Sequence, residues 1–170
     1  RFLLCAQAED LTAFAPILSQ AIPELAPTVG FDQKNRHHSY DVYTHTAHVT
    51  AAVPETLALR WAALLHDVGK VPTFTQDETG RGHFYGHAKP SAAIADQVLL
   101  RLKAPTALRE EVVQLCQLHM TLIPPEKKVV RRWLGKLGTQ RLDALLTFQQ
   151  ADICGKGIIE ENELEQFAHL

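Results

Sequence analysis

Apolar positions along the chain recur at steps of three and four, the repeat of an amphipathic helix. Leu11, Phe14, Leu18 and Ile22 predict a helix over about residues 9–22, ended by Pro23 and Pro27. A polar loop from Phe31 to Ser39 leads into a second helix with Val42, His45 and Val49 on one face. A third, over about residues 54–66, carries Leu59, Ala62, Ala63 and His66 along one stripe and stops in the Asp67–Val71 stretch, where Gly69 precedes Pro72. Between Pro72 and Gly86 the period changes: Thr73-Phe74-Thr75 and His83-Phe84-Tyr85 flank a polar tract, which predicts a short β-hairpin or an extended loop. Helices are predicted again over about 88–102, 105–119, 127–137 and 139–151, with one more in the tail, 160–170. The expected fold is an all-α compact helical bundle with that hairpin near residues 72–86. One domain is expected over 1–170, with its core at about 22–156 and a helical tail from 157.

Composition narrows the class. Hydrophobic residues make up 46% and charged residues 21% of the 170, a globular balance that excludes intrinsic disorder and fibrous repeats. The formal net charge of −2 argues against wholesale coating of nucleic acid. A local exception is the run Lys127, Lys128, Arg131, Arg132, Lys136 and Arg141, which contains no acid. It suits a polynucleotide backbone or a polyphosphate, or it is a solvated helix face offset by Glu160, Glu161, Glu163 and Glu165. Cys5, Cys116 and Cys154 are odd in number and far apart, so small buried thiols in a reducing cytosol are expected rather than disulfides or a thiolate metal site. No apolar run reaches the roughly 18 residues of a membrane span. The expectation is a cytoplasmic protein with no membrane partner.

Nine histidines remain to be explained. His66-Asp67 ends an apolar helix, and alone it reads more readily as a core histidine beside a capping aspartate than as a pair of metal ligands. The surrounding set changes that reading. His45 lies mid-helix on an apolar face, His87 opens the helix after Gly86, His119 closes an apolar helix, and Asp152 ends the helix over 142–151. Five helices each offering an imidazole or a carboxylate can focus them on one point in a bundle core, where such donors suit Mn, Fe, Co, Ni or Zn, and Mg through the carboxylates.

His45, the doublet His66-Asp67 and the distal Asp152 resemble the HD superfamily of metal-dependent phosphohydrolases. Phe31-Asp-Gln-Lys-Asn-Arg-His-His-Ser-Tyr-Asp-Val-Tyr-Thr-His45, Leu59-Arg-Trp-Ala-Ala-Leu-Leu-His-Asp-Val-Gly-Lys70 and Gly82-His-Phe-Tyr-Gly-His87 are similar to the HD region of bacterial CCA-adding tRNA nucleotidyltransferases and poly(A)-polymerase-like proteins. The resemblance implies an HD-domain bundle in which His45, His66, Asp67 and Asp152 bind one divalent metal. It implies a second ion through His87 and His119, with Asp67 bridging and Met120 standing where some relatives carry another histidine. A metal-activated water would then hydrolyse a nucleotide, a 2′,3′-cyclic phosphate or a related small phosphate ester, with Asp67 at the reaction centre. A dinuclear hydrolase of dinucleoside polyphosphates is the second enzymatic reading. A non-catalytic RNA-binding module of a tRNA-processing enzyme is the third, with tRNA as partner. The Gly-rich head and paired acids of nucleotidyl transfer do not occur, since there is no Asp-x-Asp or Glu-x-Asp; this chain is therefore not expected to add CCA by itself.

Other residues take provisional roles. Lys70 either contacts a substrate phosphate or is a solvated lysine at a helix end. His83 is a candidate proton donor to a leaving group and a candidate substrate contact. Arg36 and His38 are expected to line the pocket mouth, with His37 facing solvent. His48, one turn from His45, is expected to play a supporting part.

Overall fold

A computed structural model describes residues 1–35 and 39–157. Arg36, His37, His38 and residues 158–170, including the expected tail helix, lie outside the described residues. The described chain is helical except for one hairpin. Its elements are α1 (Phe2–Cys5), α2 (Ala8–Ala13), α3 (Ala15–Ala21), a 3-10 segment (Pro23–Thr28), α4 (Val42–Ala52), α5 (Leu57–Leu65), α6 (Lys70–Thr73), β1 (Thr75–Gln76), β2 (Gly82–His83), α7 (Ala88–Arg101), α8 (Thr106–Leu118), α9 (Lys127–Leu137) and α10 (Thr139–Cys154). The all-α expectation therefore holds.

Side-chain caps start the helices that lead into the histidines. Asp41 Oδ1 accepts from the Thr44 backbone N–H at 3.0 Å at the head of α4. Thr56 Oγ1 accepts from that of Leu59 at 3.4 Å at the head of α5. Such caps satisfy donors that the first turn leaves unpaired, each worth about 1 kcal/mol. Helix α5 is the spindle of the fold. Ala58, Leu59, Ala62, Ala63, Leu64 and Leu65 are all buried, so it is covered on nearly every side, chiefly by α4 and α8 and also by α1, α7 and α10. Phe148 and Leu145 of α10 and Leu99 of α7 complete the core around it. Tyr43 ties this core to α2 by donating its hydroxyl to the Leu11 carbonyl at 2.8 Å, and burial pushes its phenol up to about 12.

Several boundaries differ from the pattern-based expectation. The helix over 9–22 is broken at Phe14 into α2 and α3. Pro16, in the first turn of α3, lacks the N–H that a continuous helix needs and would clash with the preceding turn. Residues 70–73 form a helical turn, leaving the hairpin two residues per strand, with Thr75 opposite His83 and Gln76 opposite Gly82. Helix α10 runs on to Cys154, so Asp152 sits inside its last turn rather than at its end. Of the three cysteines only Cys116 is buried; Cys5 and Cys154 are exposed, against the expectation, although all three are free thiols. Among the described residues no helix is long and apolar enough to cross a membrane.

One close approach fixes the spacing between α5 and α7. Gly69 donates its backbone N–H to Ser91 Oγ at 2.9 Å. A Cβ there would stand 2.5 Å from the His87 carbonyl oxygen and 2.6 Å from Ser91 N. Because both obstacles are backbone, Gly69→Ala should push the helices apart and cost about 1–3 kcal/mol. Gly135, on α9 with open space around its Cα, should instead gain about 0.5–1 kcal/mol as alanine. Urea denaturation of both variants checks this pair of opposite signs.

Candidate metal centre

Four imidazoles are aimed by the main chain. His66 and His119 follow directly on α5 and α8, where helix termination leaves the last carbonyls without intrahelical donors. His66 Nδ1 bonds the Ala63 carbonyl at 2.8 Å and His119 Nδ1 the Cys116 carbonyl at 2.7 Å. His87, at the head of α7, uses the Phe84 carbonyl at 2.9 Å, and His45 of α4 reaches the Gly155 carbonyl at 3.0 Å. A carbonyl can only accept, so each Nδ1 carries the hydrogen and each neutral ring presents a bare Nε2 lone pair. This is the arrangement that metal-ligating histidines adopt.

All four Nε2 atoms converge on Asp67. Its Oδ2 lies 3.4 Å from His45 Nε2 and 3.3 Å from His66 Nε2. Its Oδ1 lies 3.2 Å from His87 Nε2 and 4.0 Å from His119 Nε2. Asp152 Oδ1 closes the first group, 3.0 Å from His45 Nε2 and 3.4 Å from His66 Nε2. The Nε2 atoms of His87 and His119 face each other at 3.0 Å. Two lone pairs at that distance repel unless a proton or a cation lies between them. Three overlapping trios have donor atoms mutually within 4.8 Å: His45, His66 and Asp67; His66, His119 and Asp152; Asp67, His87 and His119.

These residues fit a divalent ion. His66 Nε2 and both Asp67 oxygens are buried without a hydrogen-bond partner of acceptable geometry, although Lys70 Nζ forms an ion pair with Asp67 Oδ2 at 2.8 Å. Leaving such atoms unsatisfied in a core costs about 1–3 kcal/mol each. A transition ion holds N and O donors at about 2.0–2.2 Å, which spaces neighbouring donors about 3.0–3.5 Å apart. Most of the separations found here fall in or near that range.

In the absence of an ion, protons must do the neutralising. Burial opposes an imidazolium at His66, but the adjacent Asp67 and Asp152 carboxylates outweigh it and push His66 up to about 10. Burial likewise opposes the Asp67 anion, yet His66 and Lys70 hold its carboxyl well below the usual carboxylate range. Burial and then the hydrogen bond with His45 set the same contest at Asp152, again resolved far toward the anion. His119 goes the other way: burial and the charge on His66 lower it to about 4.

The centre floors a cavity of about 500 Å³ whose lining includes Asp67, Lys70, His87, His119 and Asp152. Lys70 is buried rather than solvated; it donates to Gln33 Oε1 at 2.7 Å and lies over the Phe84 ring. His83 is on the wall, not among the converging donors: Asp77 Oδ2 is 2.8 Å from its Nε2, and the Tyr85 hydroxyl is 3.2 Å from its Nδ1. His48 stacks on Tyr40 and is not among the converging donors. Arg36 and His38 lie outside the described residues, as does His37. Two residues escaped the sequence reading. Gln33 accepts from Lys70 and donates to the Tyr40 carbonyl at 3.0 Å. Gln149 donates to the carbonyls of His119 and Thr121 at 3.0 and 2.8 Å, fastening the end of α8 to α10. Only one signal pointed to Gln149, its place one turn before Asp152 on an apolar face.

The HD domain profile matches residues 36–155, and the chain belongs to that family. It is similar to an A-adding tRNA nucleotidyltransferase of Deinococcus radiodurans, 35% identical over 160 residues, covering 91% of this chain and 36% of the relative. A CC-adding tRNA nucleotidyltransferase of Thermus thermophilus is 41% identical over 69% of this chain and 28% of its own length. A multifunctional CCA protein of Azoarcus is 39% identical over 75% and 31%. The chain thus spans about a third of the length of these relatives.

A pH signature follows from His66. Its folded value lies above the ordinary 6.5, so its stabilising contribution is complete below about pH 6.5 and is lost as pH rises through about 10. The depressed carboxyls act oppositely and fail only in acid. Chelated protein should therefore lose melting temperature between pH 7 and pH 10, and protein saturated with Mn or Co should not. Uptake of the ion near pH 7 should release a proton, seen as a buffer-dependent heat in titration calorimetry.

Proposed function

We propose that this domain is a metal-dependent phosphohydrolase acting on a nucleotide, a 2′,3′-cyclic phosphate or a related small phosphate ester. The observation that carries the proposal is the convergence of four inward Nε2 atoms and two carboxylates on the floor of an open cavity. His45, His66, Asp67 Oδ2 and Asp152 would hold one divalent transition ion, and Asp67 Oδ1 with His87 and His119 a second. Such an ion lowers the pKa of water toward neutrality and offsets charge developing on phosphorus oxygens.

The chain's own groups supply the rest. Lys70 keeps Asp67 ionised and adds positive charge beside the phosphate position. His83 takes the part of proton donor: Asp77 anchors its Nε2 and so directs Nδ1, beside the Tyr85 hydroxyl, at a leaving-group oxygen. The mouth is apolar where the floor is polar. Tyr85, Met120 and Leu122 are 77%, 64% and 68% exposed there, a platform suited to a nucleobase. Arg36 and His38 join the substrate side in this reading. The proposed setting is cytoplasmic, and the names of the relatives, tRNA nucleotidyltransferases, support tRNA as a partner.

Those same relatives favour a second reading, an RNA-binding module without hydrolysis. The two separate cleanly. Wild-type protein with Mn, Co or Ni should release nitrophenol from p-nitrophenyl phosphate or bis(p-nitrophenyl) phosphate. Asp67→Ala should lower that rate at least about a thousandfold, the scale of several kcal/mol that a metal centre contributes. Metal-loaded wild-type protein that cleaves no phosphate ester overturns the enzymatic reading. His83→Ala should slow release of a nucleoside leaving group at least about tenfold more than release of nitrophenolate, because only the poorer leaving group needs the proton.

A further inference from the structure

The outward half of α9 carries cations and no other ionisable group. At about 100° per residue, Lys127, Arg131, Lys128, Arg132 and Lys136 fall on one side of the helix, interrupted only by Gly135. All five are exposed, and Arg141 beyond them is exposed too. Trp133 and Leu137 occupy the opposite side and are buried, with Val129 and Val130 partly so. None of the five has an ion-pair partner among the described residues, unlike Lys34, Lys70, Arg101 and Arg109. Lys136 packs over the Trp133 ring and is still exposed.

This helix breaks local rules at a cost to itself. Lys127–Arg131, Lys128–Arg132 and Arg132–Lys136 are like-charge pairs four residues apart, each unfavourable by a few tenths of a kcal/mol. Lys127 and Lys128 stand in the first turn, at the positive end of the helix dipole, with no acid in that turn and no side-chain cap. A polyanion laid against this face removes both penalties. Its position is equally pointed. Ile123 lines the cavity and Lys127 begins α9 only four residues later, a span of at most about 14 Å.

We infer that the outward face of α9 docks the phosphate backbone of a polynucleotide beside the mouth of the cavity. Arginine forks and lysine charges at helical spacing grip phosphates without reading sequence. An anionic membrane suits the face less well, because interfacial helices bury an apolar side in lipid and α9 has spent its own on α10. The inference deepens the reading above by assigning the polynucleotide a particular docking surface, but docking needs no hydrolysis, so either can fail without the other.

The test is fluorescence anisotropy of the full chain with a labelled RNA hairpin bearing a single-stranded 3′ end, and with a DNA hairpin of the same sequence. Four phosphate contacts should weaken binding about a hundredfold between 50 and 200 mM KCl. Lys128→Ala with Arg131→Ala and Arg132→Ala should weaken binding at 50 mM KCl at least tenfold and flatten the salt slope by about three, while metal uptake stays as in wild type and the melting temperature does not fall. Arg131→Lys with Arg132→Lys, which keeps the charge, should retain most of the slope. Absence of salt-sensitive binding, a triple variant that binds like wild type, or capture by phosphatidylserine vesicles but neither hairpin would overturn the inference.

Discussion

A carboxylate buried in a helical core must be surrounded by positive charge or give up its own, and Asp67 imposes that demand on everything around it. It is 1% exposed. Lys70 supplies one ammonium to Asp67, which does not by itself balance Asp67 and Asp152 together. Several kcal/mol ride on the balance. The four imidazoles answer it in either of two ways, by taking up a proton at His66 or by sharing a cation through their Nε2 atoms. The helix bundle exists in a form that brings both solutions to the same place.

That centre was legible in the sequence to an unusual degree because each ligand candidate sat at a position with no other good use. An imidazole mid-way along the apolar face of α4, and others at the ends of α5 and α8, would be poorly satisfied as isolated core groups. What could not be read were the parts that depend on long-range partners. Gln33 touches Lys70 only because the loop after the 3-10 segment folds back over α6. Gln149 looks like any amide on a helix until three carbonyls from the α8 end arrive in front of it. Periodicity also carried the first helix straight across Phe14, since Leu11, Leu18 and Ile22 keep the step while Pro16 removes the hydrogen bond. Cys5 and Cys154 failed for a related reason: composition says how a residue type behaves on average, and both lie near element ends where exposure is set by neighbours.

The cavity joins two kinds of surface that a bundle rarely presents together. Its floor is made by helix ends and is rigid, held by α5, α8 and α10. Its wall is the short hairpin and the turn into α7, where Gly82 is pressed against the Gln33 carbonyl and its N–H meets the Lys34 carbonyl at 2.9 Å. The hairpin is therefore sewn to the loop that also supports Lys70. The wall and the charged floor share one structural support, so a change in the first can reach the second without touching any ligand candidate.

The carbonyls that orient the four histidines belong to Ala63, Phe84, Cys116 and Gly155, and none is a side chain. A centre oriented by carboxylates or amides would need each of those helpers preserved alongside the ligands. Here the helpers come with the backbone itself, three of them supplied from three residues upstream. The surrounding side chains are thus at liberty to drift, and a lineage can remodel the walls of the cavity while the donors at its bottom keep their aim.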